Sequence, residues 1–222
     1  MTTTITLEQK QQAFNELKQI KADFAARGWF PATSGNLSMR VGEIHQNQFA
    51  FAITASGKDK SQSTPEDFLL VNELSLPIEA TQLKPSAETK IHSEIYRLTG
   101  CGAIFHVHTV YNSLLSELFW EQGSIPIEGV ELIKAFNIWD EEASIEVPIL
   151  PNFADIARIA GLIEGAILPL IPGIVLRKHG IYAWGANAFE AKRHLEAFEF
   201  LFEYAYKLFL MQTHYRNAPR RH

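Results

Sequence analysis

Apolar positions along the chain keep two periods by turns, one near 3.6 residues and one of two. Leu7, Ala13, Phe14, Leu17 and Phe24 recur at helical spacing after Thr6, which with Gln9 forms a capping-box start, and Gly28 ends the run. "PATSGNLSMR" follows as a polar loop, and in "QFAFAIT" Phe49, Phe51 and Ile53 alternate as in a half-buried strand. "ASGKDKSQSTPEDFLLV" predicts a loop leading into a short helix, with Thr64 as N-cap and Pro65 at the first helical position. "PSAETKIHSEIYRLTG" predicts a helix with Ile91, Ile95 and Leu98 on one stripe and Gly100 as its stop.

The apolar strand "CGAIFHVHTV" comes next, then an amphipathic helix, "VYNSLLSELFW", and a short helical turn, "EGVELIKAF". "ASIEVPIL" predicts a strand, "ADIARIAGLIEGAI" a helix, and "GIVLRKHG" with "IYAWG" two short strands around a turn. Asn187 with Glu190 then caps a long last helix carrying Phe198, Phe200, Leu201, Phe202, Tyr204, Tyr206, Leu208 and Phe209 on more than one side. Such a helix is buried in the core on several faces or packs against another subunit. No repeat or linker interrupts the alternation, so residues 1–222 are expected to form one domain, with a basic C-terminal tail from about 213 to 222.

Composition narrows the classes of function. With 46% hydrophobic and 20% charged residues the chain matches an ordinary globular protein. A formal net charge of -5 argues against nucleic acid as a partner. No apolar run approaches the roughly 20 residues of a membrane span, and the N-terminus lacks the apolar segment of a signal peptide. The single cysteine, Cys101, suits a reducing compartment and reads as a small packed residue, so a cytoplasmic location is expected.

The chemistry concentrates on histidine. Residues i and i+2 of a strand share a face, so His106 and His108 project together. A third imidazole, His179, stands at a strand end before Gly180, where glycine would let the backbone turn tightly. Three histidines without cysteine suit an open catalytic Zn2+ site rather than a closed structural one. A polar, solvent-exposed strand end fits His-x-His equally well, and three imidazoles also suit iron, cobalt or manganese. His45, His92, His194, His214 and His222 are expected at the surface. Three loops, "TSGNLS", "TASGKDK" and "KPSAET", offer backbone N–H groups and hydroxyls of the kind that cradle phosphate, though each also suits an ordinary turn.

Taken in order, "SGNLSMR", "ITASGKDK", "KPSAET", "HVHT" and "KHGIYAWG" resemble the class II aldolase family of zinc-dependent sugar-phosphate enzymes, from about Leu7 to the last helix. The resemblance implies a three-layer α/β fold with a central, mainly antiparallel sheet flanked by helices. It also implies a homotetramer with active sites near subunit interfaces. His106, His108 and His179 become ligands of one Zn2+ per subunit, and the substrate phosphate lies among Ser34, Gly35, Asn36, Ser56, Gly57 and Ser86. Glu88 stands where aldolases of the family place their catalytic glutamate. "VELIKAFNIWDEEASIEVPILPN" and the segment from Leu176 to Leu208 are similar to family members that expel water from a methylthio-substituted ketopentose phosphate in methionine salvage; there Glu131 matches the acid/base residue and is favoured over Glu88. The methylthio group would want an apolar pocket, for which Phe30, Phe119, Trp120 and Phe136 are candidates, though each fits the core better. An aldolase or a 4-epimerase would share the metal and phosphate sites, whereas non-catalytic adducin-like members lose the ligands.

Overall fold

A computed structural model of the chain describes residues 5–45 and 48–217. Helix α1, Leu7–Ala26, starts at the expected capping box, with Thr6 and Gln9 each satisfying the other's backbone N–H. Strands β1 (Asn36–His45), β2 (Gln48–Thr54) and β3 (Phe68–Asn72) form one flank of the sheet. Helix α2 (Thr89–Thr99) ends on Gly100 in the left-handed conformation, and β4 (Ala103–Val107) and α3 (Val110–Leu118) follow. Strands β5 (Ser124–Glu128) and β6 (Ser144–Leu150), the short helix α4 (Ile156–Ala160), strands β7 (Gly173–Leu176) and β8 (Gly180–Gly185), and α5 (Ala188–Asn217) complete the order.

The eight strands run β3-β2-β1-β4-β8-β7-β6-β5, antiparallel throughout except for β6 and β7. Both faces are covered, and each carries its own core. Leu17 and Phe24 of α1, Leu115 of α3 and Leu195, Phe198 and Leu201 of α5 pack on Leu37, Phe105, Val107 and Val175 on one side. Phe24 meets Phe105 edge-on at 5.6 Å between ring centroids. Ile91, Ile95 and Tyr96 of α2 and Ile159 of α4 pack on Phe51, Ile53, Ile104 and Leu176 on the other. Each such fully buried side chain contributes about 1.5–3 kcal/mol, and period two along the strands sends alternate residues to the two cores. The three-layer, mainly antiparallel α/β architecture is as expected.

Several elements differ from the sequence expectation. The polar stretch from Asn36 is strand, because Leu37, Met39 and Val41 alternate with Ser38 and Arg40, whose side chains bond inside the protein, with Arg40 Nε alone left without a partner among the described residues. Arg40 lies over the rings of Phe49 and Tyr96 and donates to the Gly100 carbonyl at 3.2 Å. The expected helix after Thr64 is strand β3: Thr64 Oγ1 accepts only from Glu66 N in a local turn, and Phe68, Leu69, Leu70 and Val71 are buried alternately on both faces. Strand β5 is a further element, and the helix expected from Ala154 to Ile167 is interrupted at Gly161, leaving α4 with five residues. The described part of the basic tail to Asn217 continues α5; its remainder, His222 included, lies outside the described residues.

Candidate metal centre

Strand β4 occupies the middle of the sheet, between β1 and β8, and its C-terminal end carries the site. His106 is fully buried opposite Tyr182 of β8, and the two rings stack with centroids 3.9 Å apart. His108 follows one residue beyond β4, and His179 comes from the turn between β7 and β8. One ligand nitrogen from each lies within 4.8 Å of the others, with the Nε2 atoms of His106 and His108 2.9 Å apart. Gly180 permits this approach. Its φ is ordinary and the left-handed residue of the turn is Lys178 (φ 54°), so Gly180 serves closeness rather than the turn. A Cβ there would strike the Val107 carbonyl and come within 2.8 Å of both the His106 and His108 rings.

The donor set fits a cation. His106 Nδ1 faces the Ile181 carbonyl at 2.9 Å, and His179 Nδ1 faces Asn152 Oδ1 at 3.2 Å. Each contact places the ring proton on Nδ1 and turns a lone pair at Nε2 into the cluster. Burial drives the His106 imidazole well below its usual range, His108 to about 3 and His179 in the same direction, so all three stand neutral as metal ligation requires. Glu88 adds two more acceptors, Oε2 at 3.3 Å from His106 Nε2 and Oε1 at 3.2 Å from His179 Nε2. Lone pairs converging at these distances repel unless a positive charge sits among them.

The three polar loops gather at this same end. Ser86 N donates to the Thr54 carbonyl and Ser56 N to the Lys84 carbonyl, tying the second loop to the third. The Lys60 ammonium donates to the Thr33 carbonyl at 2.6 Å, tying the second to the first. Burial, then the charge of Lys21, pulls that ammonium down to about 8. Ser34 Oγ is buried without a partner among the described residues. Gly35 has φ +72°, and a Cβ there would lie 2.7 Å from the His106 carbonyl. Ser56, Gly57 and Ser86 lie on the loop surfaces, but Asn36 turns inward, giving its amide to Glu88 and His92.

Glu131 is not brought to the histidines within the chain. It opens a 3-10 turn, Glu131–Phe136, that packs on α5 through Phe136, and its carboxylate pairs with Lys134 at 2.9 Å. The preceding strand ends where Glu128 pairs with Ser144 at the start of β6, whereas the histidine cluster lies at the end where Leu150 pairs with Leu176. The length of β6, roughly 20 Å, separates the two ends. Of the aromatic candidates, Phe136 is buried against Phe198, Trp120 lies under Arg177, and Phe30 stands beside Gly35. A cavity of about 900 Å3 opens beside His108 and His179, walled by Trp29, Val110, Tyr111, Leu114 and Phe200.

Two histidines expected at the surface are buried. His92 is fully enclosed, and His194 faces the Trp184 carbonyl at 2.7 Å. Neither Asn152 nor Lys60 was singled out by the sequence; a lone Asn or Lys in a loop carries no periodic signal.

The chain belongs to the family of class II aldolase and adducin N-terminal domains, which it matches over residues 15–206. It is 54% identical over 197 residues to the methylthioribulose-1-phosphate dehydratase of Persephonella marina, covering 89% of this chain and 90% of that one. It is 48% identical over 200 residues to the dehydratase of the same name from Bacillus subtilis, covering 90% and 94%. Among solved structures, l-fuculose-1-phosphate aldolase from Thermus thermophilus superposes with a TM-score of 0.69 at 26% identity, covering 91% of this chain and 98% of that one. A sugar-phosphate aldolase from Thermotoga maritima shares the fold, with a TM-score of 0.71 at 17% identity over 91% and 97%.

Proposed function

We propose that the protein is a zinc-dependent dehydratase that converts 5-methylthioribulose 1-phosphate into 2,3-diketo-5-methylthiopentyl 1-phosphate, a step of methionine salvage. The observation that carries this is the set of three neutral imidazoles with Glu88 against two of them, in a chain about half identical to dehydratases over most of its length. Bound Zn2+ supplies a Lewis acid that polarises the substrate carbonyl at C2 and acidifies the proton on C3.

Glu88, whose carboxylate lies against His106 and His179, takes that proton in this reading. The C3–C4 bond becomes double as the C4–O bond breaks, and hydroxide departs with a proton as water. The resulting C3 enol then tautomerises to the 2,3-diketone. The departing hydroxide needs its own acid, and Glu131 fills that role from a neighbouring subunit, since its own centre is out of reach. Ser34, Gly35, Ser56, Gly57 and Ser86 receive the phosphate, with Lys60 as the nearby positive charge and the partnerless Ser34 hydroxyl as a ready donor. The apolar walls of the cavity, Val110, Leu114 and Phe200, suit the methylthio end.

Assembly as a homotetramer follows the same reading. Phe200, Tyr204, Leu208 and Met211 form an exposed apolar stripe along α5, and Val110, Leu114 and Leu118 form one along α3. Both stripes reach the cavity beside the histidines. No helix among the described residues is long and apolar enough to cross a membrane, and a cytoplasmic location goes with the proposal.

Purified enzyme with one Zn2+ per chain should release one water from the substrate, as followed by mass spectrometry. Glu88→Gln and Glu131→Gln should each reduce turnover at least about 100-fold with metal retained. In deuterium oxide, Glu131→Gln should still exchange the C3 proton, whereas Glu88→Gln should not. Full activity in Glu131→Gln would remove that residue from the chemistry, and cleavage of a carbon–carbon bond in place of water loss would make the protein an aldolase.

A further inference from the structure

A line of buried polar groups runs from the core to the metal centre. Glu88, His92 and Tyr96 stand four residues apart along α2, and Asn36 and Ser38 stand two apart on β1, so each set shares a face and the two faces meet. The Tyr96 hydroxyl lies 2.7 Å from Ser38 Oγ, which lies 2.6 Å from His92 Nδ1. His92 Nε2 bonds Asn36 Oδ1, and Asn36 Nδ2 donates to Glu88 Oε2 at 2.6 Å. Tyr96, Ser38, His92 and Asn36 are all buried, so water offers none of them an alternative partner. Glu88 sits at the N-cap position of α2, yet its side chain makes no capping bond to the helix. Its carboxylate is drawn instead to Asn36 and the metal centre.

We propose that His92 is a positioning residue for Glu88, and that its tautomer decides which end of the Asn36 amide faces that carboxylate. A neutral imidazole has one N–H. With that proton on Nε2, every contact runs donor to acceptor in one direction: Tyr96 to Ser38, Ser38 to His92, His92 to Asn36, Asn36 to Glu88. With the proton on Nδ1, Nε2 becomes an acceptor and Asn36 must turn over to donate to it. The amide oxygen would then lie against the Glu88 carboxylate, two acceptors at hydrogen-bond distance in a buried site. The hydroxyl of Ser38, donating to Nδ1, selects the first arrangement and holds Glu88 where it meets His106 and His179.

This inference rests on the reading of Glu88 as the group that takes the C3 proton. Its test uses the zinc-loaded enzyme with 5-methylthioribulose 1-phosphate, together with nitrogen-15 NMR of the histidines. NMR of the wild type should show His92 as the neutral Nε2–H tautomer; an Nδ1–H tautomer overturns the proposal whatever the activity. His92→Leu should lower kcat about 10- to 100-fold per metal-loaded chain, with KM and zinc content unchanged. His92→Gln places an amide N–H where Nε2–H stood and should restore kcat to within a few fold. Equal loss in both variants, or none in His92→Leu, overturns the proposal. Should His92→Leu not fold, Ser38→Ala removes the donor to Nδ1, along with the acceptor of the Tyr96 hydroxyl, and should lower kcat in the same direction; an unchanged kcat there also overturns it. If the wild type itself fails to dehydrate the substrate, the functional reading falls, and the tautomer alone decides the role of His92.

Discussion

Single positions decide the candidate metal centre. Gly180 holds the closest approach, since any Cβ there meets the Val107 carbonyl and the rings of His106 and His108. Gly180→Ala should therefore cost about 1–3 kcal/mol of stability and leave the purified protein with well under one zinc per chain by elemental analysis. A variant that keeps full metal content would show that β4 and β8 move apart freely. His106, His108 and His179 were legible in the sequence because strand periodicity puts the first two on one face, and the structure brings the third beside them. His92 was not, because a lone helical histidine looks like a surface residue until its partners on β1 are known. The spacing of Glu88, His92 and Tyr96 was the available signal, and it becomes meaningful only opposite Asn36 and Ser38.

Among the elements, α5 shows two independent stripes. Leu195, Phe198, Leu201 and Phe202 face the sheet, while Phe200, Tyr204, Leu208 and Met211 face outward. The sequence showed that this helix is apolar on more than one side but left open whether core or subunit contact explained it; the inner stripe answers for the core, and the exposed outer row is what the proposed assembly would cover. Replacing Phe200 and Leu208 by Glu should yield a smaller species by light scattering, with the helix content unchanged by circular dichroism. An unchanged mass would mean that no subunit contact runs along this row. Strands β1 and β3 escaped sequence reading for opposite reasons. Strand β1 hides among Ser, Asn and Arg that look like loop, whereas β3 is a short apolar run whose period cannot separate strand from helix. Loop residues such as Asn152 carry no periodicity at all, so their part in the centre emerges only from the packed chain.

For the molecule as a whole, the proposed zinc site would make metal binding and folding one equilibrium. The unfolded chain cannot hold three imidazoles together, so if the proposed zinc site is real, zinc at about 1,000 times its dissociation constant would stabilise the folded chain by about 4 kcal/mol. Stripping it with a chelator should lower Tm by roughly 8–16 °C in scanning calorimetry and restoring it should reverse the shift; equal Tm values with and without metal would mean that the histidines do not bind it tightly.

Strand β4 finds its neighbours far along the chain, His106 meeting the Ile181 carbonyl 75 positions later. During synthesis His106 and His108 leave the ribosome first, and His179 follows only after an interval of roughly 4 to 15 s. Through that interval the two imidazoles are an incomplete chelate beside an unpaired strand edge. On the proposed function all three could grip zinc only once β8 has closed on β4, so a loaded centre would certify that the middle of the sheet has been assembled.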